Sequence, residues 1–342
     1  MATTIRDIAD RAGVSVATVS RVLNKTKPVT PSVRAAVLAA VTELDYTPSR
    51  MARNLRSSRT HTIAFILSSI ENPFFPELIE RVTHTVGPFG YDVRVSVSAS
   101  PLAQVVALHK QQAFDGVLVV GGDPDADAQA YLDSHTVPIV AIDRGAGANV
   151  PVFTTANAQG AYECACHLLE HGAAERILHI QGPPHLRICQ DRQAGFQRAV
   201  AGRDIAVTEI AGDFTAESGQ RALDQFIAAN SARTQAKSDD GVAPAPALVF
   251  ADNDLMAIGA MSAAVRHGLT PGRDVLVAGF DGINLAQWVT PALTTYHQPI
   301  ADIATAAVNK LLELIDGAAT GGETTEFAGK LVIRQSSGGS HD

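Results

Sequence analysis

The sequence predicts a small all-helical head joined to a larger α/β body made of two similar halves. Helical spacing interrupted by a glycine turn predicts the head, and β-branched runs alternating with helical stretches from residue 61 onward predict the body. Charge sets the same boundary. Residues 1–60 hold ten Lys or Arg against four acids, a net of +6; with the whole chain at −8, the other 282 residues sum to −14. A basic head on an acidic body suits a polyanionic partner for the head alone. At 342 residues the chain is long enough for two or three domains, each with its own core. No apolar run approaches the ~18 residues of a membrane span, and "MATTIRDIADRAG" lacks the basic and apolar regions of a secretory signal. The expectation is a cytoplasmic protein with no membrane partner. Three cysteines, Cys164, Cys166 and Cys189, are an odd number in a long chain and argue for reduced thiols.

In the head, Ile5, Ile8, Ala9 and Ala12 follow helical spacing, and Gly13 ends that helix because glycine tolerates φ > 0. Ser15 is placed to cap a second helix. Its buried side is Val19, Val22 and Leu23, which leaves Val16, Ala17, Ser20 and Arg21 towards the other face. After "KTKPVTP", with Thr30 or Ser32 placed to cap and Pro31 near the first position, a third helix shows Val33, Val37, Val41 and Leu44 on one apolar stripe. Three short helices with a glycine-containing turn describe a helix-turn-helix unit. A helix lying in the major groove needs small side chains for close approach and a few donors that reach the bases. Ser15, Thr18 and Ser20 can bond phosphates, Arg21 can pair bidentately with guanine, and Val16 or Ala17 can touch a thymine methyl.

The next stretch, "TPSRMARNLRSSRT" at 47–60, has Pro48 to stop the third helix, Ser49 as a cap, and Met51, Ala52 and Leu55 among four arginines. So short a helix is marginal alone. It can form when two copies pack against DNA, with arginines on phosphates and Leu55 as an apolar wedge in the minor groove. "IRDIADRAGVSVATVSRVLN" followed by "YTPSRMARNLRS" resembles the lactose-repressor/galactose-repressor (LacI/GalR) family of bacterial regulators, over residues 4 to about 335. By that resemblance Val16, Ala17 and Arg21 stand at the base-reading positions, and Leu55 stands where the hinge helix inserts its leucine. Thr4, Asn24, Arg50 and Arg53 join Ser15, Thr18 and Ser20 as further DNA-facing candidates.

The body offers the strands "TIAFILSS", "YDVRVSVSA", "GVLVVGG", "VPIVAID" and "VPVFTT", then "RILHIQG", "IAVTEIAGD", "ALVFADN" and "DVLVAGFD". Helices are expected at 76–89, 159–171, 190–201, 216–229, 254–267 and 299–316. This alternation gives parallel sheets covered on both faces, whose ligands sit beyond the carboxyl ends of the strands. Asn72 to Phe75, Asp143, Arg144, Asn253 and Asp281 fall at such ends. The body resembles the periplasmic-binding-protein-like fold that the same family carries, with two α/β subdomains and three crossovers. The resemblance implies that Arg192, Asn253 and Asp281 bond effector hydroxyls and that Phe74, Asp143, Phe214 and Gln298 line the pocket, where Asn72 joins them by its place at a strand end. An arginine with carboxylates and amides suits a polyol, whose hydroxyls both donate and accept.

The expected organisation is therefore a helix-turn-helix domain at 1–46, a hinge helix at 47–60, an effector-binding and dimerisation domain at 61–335, and a flexible tail at 336–342. "SARTQAKSDDGVAPAPA", 231–247, reads as a long exposed loop. The resemblance implies a regulator, by expectation a repressor. It would bind a pseudo-palindromic double-stranded operator as a homodimer or higher oligomer, under a sugar, polyol, sugar phosphate or nucleoside. No cofactor is expected. "HLLEH", His167–His171, fits an inverted zinc-protease pattern but sits where an outer helix is expected. "DPDADA", Asp123–Ala128, opens like a calcium loop but has Ala128 where the turn needs glycine and Ser134 where the bidentate glutamate belongs. With no nucleophile elbow and no phosphate-binding loop, no enzymatic activity is expected; the alternatives kept are a cytoplasmic sugar-binding protein or a sugar-modifying enzyme on the same fold.

Overall fold

A capping box opens the first helix, and a left-handed glycine closes it. The computed structural model describes residues 3–24, 27–46, 59–120, 126–143, 147, 149–170, 174–234, 246–319 and 321–339. By contacts it divides into two units, Met1–Thr60 and His61–Asp342. In the first, α1 (Ile5–Ala12), α2 (Val16–Asn24) and α3 (Pro31–Glu43) enclose a core of Ile8, Ala9, Val19, Val22, Val37 and Ala40. Thr4 and Asp7 exchange side-chain to backbone bonds at the start of α1, and Gly13, at φ 65°, satisfies its last carbonyls. The hydroxyl of Ser15 accepts from the Thr18 N–H at 3.2 Å and so caps α2. Pro31 opens α3, and no side chain caps it.

The second unit contains two six-stranded sheets. Lobe 1 is built on β1 (Thr62–Leu67), α4 (Phe74–Val86), β2 (Asp92–Val97), α5 (Pro101–Lys110), β3 (Gly116–Val119), α6 (Ala126–Ser134), β4 (Ile139–Ile142) and β5 (Val152–Thr155). Lobe 2 follows with α7 (Asn157–Leu169), β6 (Arg176–Gln181), α8 (Arg187–Val200), β7 (Ala206–Ala211), α9 (Ala216–Thr234), β8 (Ala247–Ala251), α10 (Asp254–Arg266), β9 (Val275–Asp281) and β10 (Thr294–His297). The chain then returns through α11 (Ile300–Ile315) and β11 (Thr324–Phe327) to lobe 1, and ends in lobe 2 with β12 (Lys330–Val332). The sheet orders are β11-β5-β4-β3-β1-β2 and β12-β10-β9-β8-β6-β7. The chain thus passes between the sheets three times: after β5, after β10 and after β11. All pairings are parallel except β10 with β12.

Continuous apolar runs explain the burial on both faces: five of the six residues of β1 and all seven of β9 are buried. In lobe 1, Phe65, Leu118 and Val140 face α4 and α11, while Ile66, Val117 and Ile139 pack with α5. In lobe 2, Leu178, Val249 and Val277 face α10, while Ile177, Leu248 and Leu276 pack with α7 and α8. Gly195 on α8 permits a very close crossing, because a Cβ there would collide with the Ala158 carbonyl oxygen of α7.

Several expectations are corrected. The tail does not begin at residue 336: Ser336 and Ser337 are fully buried in a turn of 3₁₀ helix, Gln335–Ser337. Ser336 donates to the Val277 carbonyl at 2.6 Å and accepts from the Thr294 N–H at 2.8 Å, so two small hydroxyls are held by partners that composition does not reveal. Residues 340–342 lie outside the described residues. The stretch 231–247 is not all loop, since α9 continues to Thr234 and β8 begins at Ala247; residues 235–245 lie outside the described residues. Helices α5 and α6 and strands β10 to β12 are additions to the sequence reading, and α4, α7 and α8 each start two or three residues earlier than expected. His167 bonds Ser337 at 2.7 Å, and α7 buries Cys164, Ala165 and Leu168, so its face is a packing face; His171 lies outside the described residues. Asp123 to Asp125 also lie outside them, while Ala126–Ser134 is helix.

Candidate functional site

A cavity of about 460 Å³ lies at the carboxyl ends of the strands of both sheets. Each sheet changes winding direction there, between β1 and β3 in lobe 1 and between β6 and β8 in lobe 2, which is where open α/β sheets leave a crevice. All eight sequence-predicted pocket residues line it: Asn72 and Phe74 after β1, Asp143 after β4, Arg192 on α8, Phe214 after β7, Asn253 after β8, Asp281 at the end of β9, and Gln298 after β10. Arg144 lies outside the described residues. Backbone strain concentrates at this place. Asp143, Phe214 and Asp281 take φ of 66°, 69° and 116°, a region that side-chain-bearing residues rarely occupy.

Asp281 is the junction of the site. Asn72 of lobe 1 donates to one carboxylate oxygen at 2.9 Å, and Gln298 donates to the other at 2.8 Å. Gln298 in turn accepts from the Thr155 hydroxyl at 2.6 Å, so a single chain of bonds joins the cavity to two of the crossings between lobes. Burial pushes the Asp281 carboxyl up to about 6; the Arg192 guanidinium and the two amide donors oppose that rise, and Asp143 adds to it. Beneath it Asp254, fully buried, accepts from the Thr295 hydroxyl at 2.5 Å and from the Ile283 N–H at 2.8 Å. Its carboxyl is also raised, first by burial and then by the charge of Asp281.

Arg192 is 2% exposed and is held on three sides. Its Nε donates to Asn157 at 2.8 Å, an Nη donates to the Asp252 carbonyl, and the guanidinium lies 3.9 Å above the Phe280 ring. The Gly195 crossing makes the first contact possible, because it brings α7 and its Asn157 against α8. Asp252 is itself fixed by His179 at 2.8 Å and by the Gly182 N–H at 2.7 Å. Burial alone would lower the His179 pKa, but the Asp252 and Glu209 carboxylates outweigh it and raise the value. Asn253 caps α10 through the Met256 N–H at 3.0 Å and donates to the Phe214 carbonyl at 3.1 Å. These supports, Asn157, Asp252, Asp254 and Thr155, were missed in the sequence. The one signal was "FADND", three polar residues ending an otherwise apolar strand.

In the head, Ala17 and Arg21 of α2 are exposed, and Thr18 and Ser20 are half-buried. Val16 is partly buried against the head's core, which leaves it less free for a base than the pattern suggests. Ser15 and Thr18 share a bond of 2.9 Å, and Thr4 serves as the cap of α1. The side chain of Asn24 and all of Arg50, Arg53 and Leu55 lie outside the described residues, as does the hinge helix except for residues 59 and 60. Among the described residues no helix is long and apolar enough to cross a membrane, and no group of three or more His, Cys, Asp or Glu could hold a metal ion. Cys164, Cys166 and Cys189 form no disulfide with one another.

A helix-turn-helix unit in a chain with a two-lobed ligand-binding body defines a ligand-responsive DNA-binding regulator. Residues 4–49 match the model for bacterial regulatory proteins of the lacI family, and residues 165–337 match that for the periplasmic binding protein-like domain. The ribose operon repressor of Halalkalibacterium halodurans is 34% identical over 340 residues, 98% of each chain. The HTH-type transcriptional repressor PurR of Erwinia tasmaniensis is 35% identical over 342 residues, covering 97% of this chain and 96% of that one. The crystal structure of the lac repressor dimer bound to operator and the anti-inducer ONPF matches with a TM-score of 0.82 and 28% identity, over 98% of this chain and 99% of that one. The chain belongs to the LacI family of bacterial regulatory proteins. It is a DNA-binding transcription regulator with a small-molecule effector, and not an enzyme.

Proposed function

We propose that this regulator binds a pseudo-palindromic operator as a dimer and that its affinity is set by a monosaccharide held between the lobes. Arg21 and Ala17, with Val16 at the margin, read bases from the major groove, while Thr4, Ser15, Thr18, Ser20, Asn24, Arg50 and Arg53 meet the backbone and Leu55 wedges the minor groove. Two half-sites would lie about one helical turn apart, ~34–36 Å. The effector lies between Phe74 and Phe214, with Arg192, Asp143 and Asp281 on its hydroxyls and Asn72, Asn253 and Gln298 around them. The observation that carries this reading is the convergence of eight residues, from positions 72 to 298, on one cavity. The name of a relative, a ribose operon repressor, favours a pentose.

The effector acts by changing the angle between lobes, and thereby whether paired hinge helices can dock. The test is a thermal-shift screen of sugars, polyols and nucleosides, followed by selection of bound sequences from random DNA. A ligand at 100 times its Kd adds ~2.7 kcal/mol of stability. The expected results are stabilisation by a pentose and a two-fold-symmetric consensus. Stabilisation by nucleosides alone, or an asymmetric consensus, counts against the reading.

A further inference from the structure

The charge of the cavity narrows the effector further, and this step rests on the sugar reading just given. Among the described lining residues five carboxylates, Glu71, Asp143, Asp213, Glu217 and Asp281, stand against the Arg192 guanidinium and His185. The carboxylates form two layers. Asp143 and Asp281 are buried on the floor, one from each lobe, while Glu71 of lobe 1 and Asp213 and Glu217 of lobe 2 are exposed at the mouth. Of the three at the mouth, Asp213 has an arginine, Arg221, at 3.3 Å. Arg192 offers an anion less than a free guanidinium would, because of its five N–H donors Nε serves Asn157 and one on Nη1 serves the Asp252 carbonyl, and Phe280 covers one face.

We infer that this cavity selects an uncharged polyhydroxyl ligand and turns away the phosphorylated or carboxylated form of the same molecule, with Asp143 and Asp281 as inner and Glu71 and Glu217 as outer specificity-determining residues. A carboxylate only accepts, so its partner in the ligand must bring O–H donors, which a free sugar has on every side. A phosphate ester brings about 1.5–2 negative charges and acceptor oxygens in their place. Like charges in a partly desolvated cleft repel more strongly than in bulk water, and here they meet on both walls. A ligand approaching the site passes the outer pair first, so Glu71 and Glu217 act before any contact with the floor.

The test is calorimetric titration and thermal shift of the intact chain with D-ribose and ribose 5-phosphate, D-glucose and glucose 6-phosphate, and inorganic phosphate as an anion control. The expected result is that one free sugar binds and that its ester binds at least 100-fold more weakly. In the Glu71→Gln/Glu217→Gln double variant that ratio is expected to shrink severalfold. An ester that binds as tightly as its sugar overturns the inference while leaving a sugar site standing. An unchanged ratio in a folded double variant overturns the outer pair's role. No response to either form of either sugar overturns the sugar reading itself.

Discussion

The head and the body solve recognition in opposite ways. In α2 the residues proposed to read DNA stand on a helix whose buried neighbours, Val19 and Val22, belong to a core of six buried side chains among the described residues, and Ala17 and Arg21 are exposed. In the body the residues proposed to read the effector are mostly buried, and several are bonded before any ligand arrives: Asn72 and Gln298 to Asp281, Arg192 to Asn157, Asn253 to Phe214. An exposed side chain can be changed with little effect on folding, whereas a pre-bonded one is part of the fold. Substitutions should therefore separate function from stability in the head and combine them in the body.

The largest effect is expected at a residue that touches no ligand. Asp252→Ala leaves His179 buried without its nearer carboxylate and orphans the Gly182 N–H, so it should cost about 3–5 kcal/mol of body stability, read as a lower thermal midpoint. A midpoint within a degree of the parent would contradict the bonded-support account. Next is Asp281→Ala, expected to weaken effector binding by ~100-fold or more, equivalent to ~2.7 kcal/mol, through loss of a charged acceptor. Operator affinity without effector should be retained; an unaltered effector titration would remove Asp281 from the site.

Arg21→Ala should cost roughly 1–3 kcal/mol in operator binding and relax preference at one base position per half-site, with effector affinity and thermal midpoint unchanged. If selection from random DNA returns the parent consensus for this variant, Arg21 is a phosphate contact instead. The smallest effect is a pH slope. Asp281 titrates at about 6 in the fold and near 3.9 unfolded, so the folded chain binds the extra proton between these values, and stability falls as pH rises through them. Asp281→Asn should flatten that fall in urea midpoints measured from pH 4 to 7; His179 bears on the upper end, because its raised value gives stability lost as pH rises through it. Parallel curves for the two chains would show that Asp281 ionises normally.

Legibility in the sequence follows the same division. The head's elements depend on neighbours in the chain: Gly13 ends a helix, Ser15 caps the next, and Pro31 starts a third, so local chemistry was enough. The site depends on topology. Asn72 and Asp281 are 209 positions apart, and only the paired sheets bring them to 2.9 Å, so their meeting was readable through family resemblance and strand-end logic rather than from spacing. The supporting residues were harder still, because nothing marks Asn157 as the partner of Arg192 until the Gly195 crossing brings α7 onto α8. Composition misled at Ser336 and Ser337, whose small polar side chains resemble a loose tail but fill bonds left by Thr294 and Val277.

The proposed regulation depends on one coupling, between a buried polar cavity and an operator. Fluorescence anisotropy of a labelled operator, taken from the random-DNA selection and bound to the full chain, measures it directly when D-ribose is titrated in. Operator affinity is expected to change by roughly 5–150-fold as the sugar saturates, and Asp281→Ala to abolish the change without altering sugar-free binding. A chain that binds the sugar while its operator affinity stays constant would contradict it.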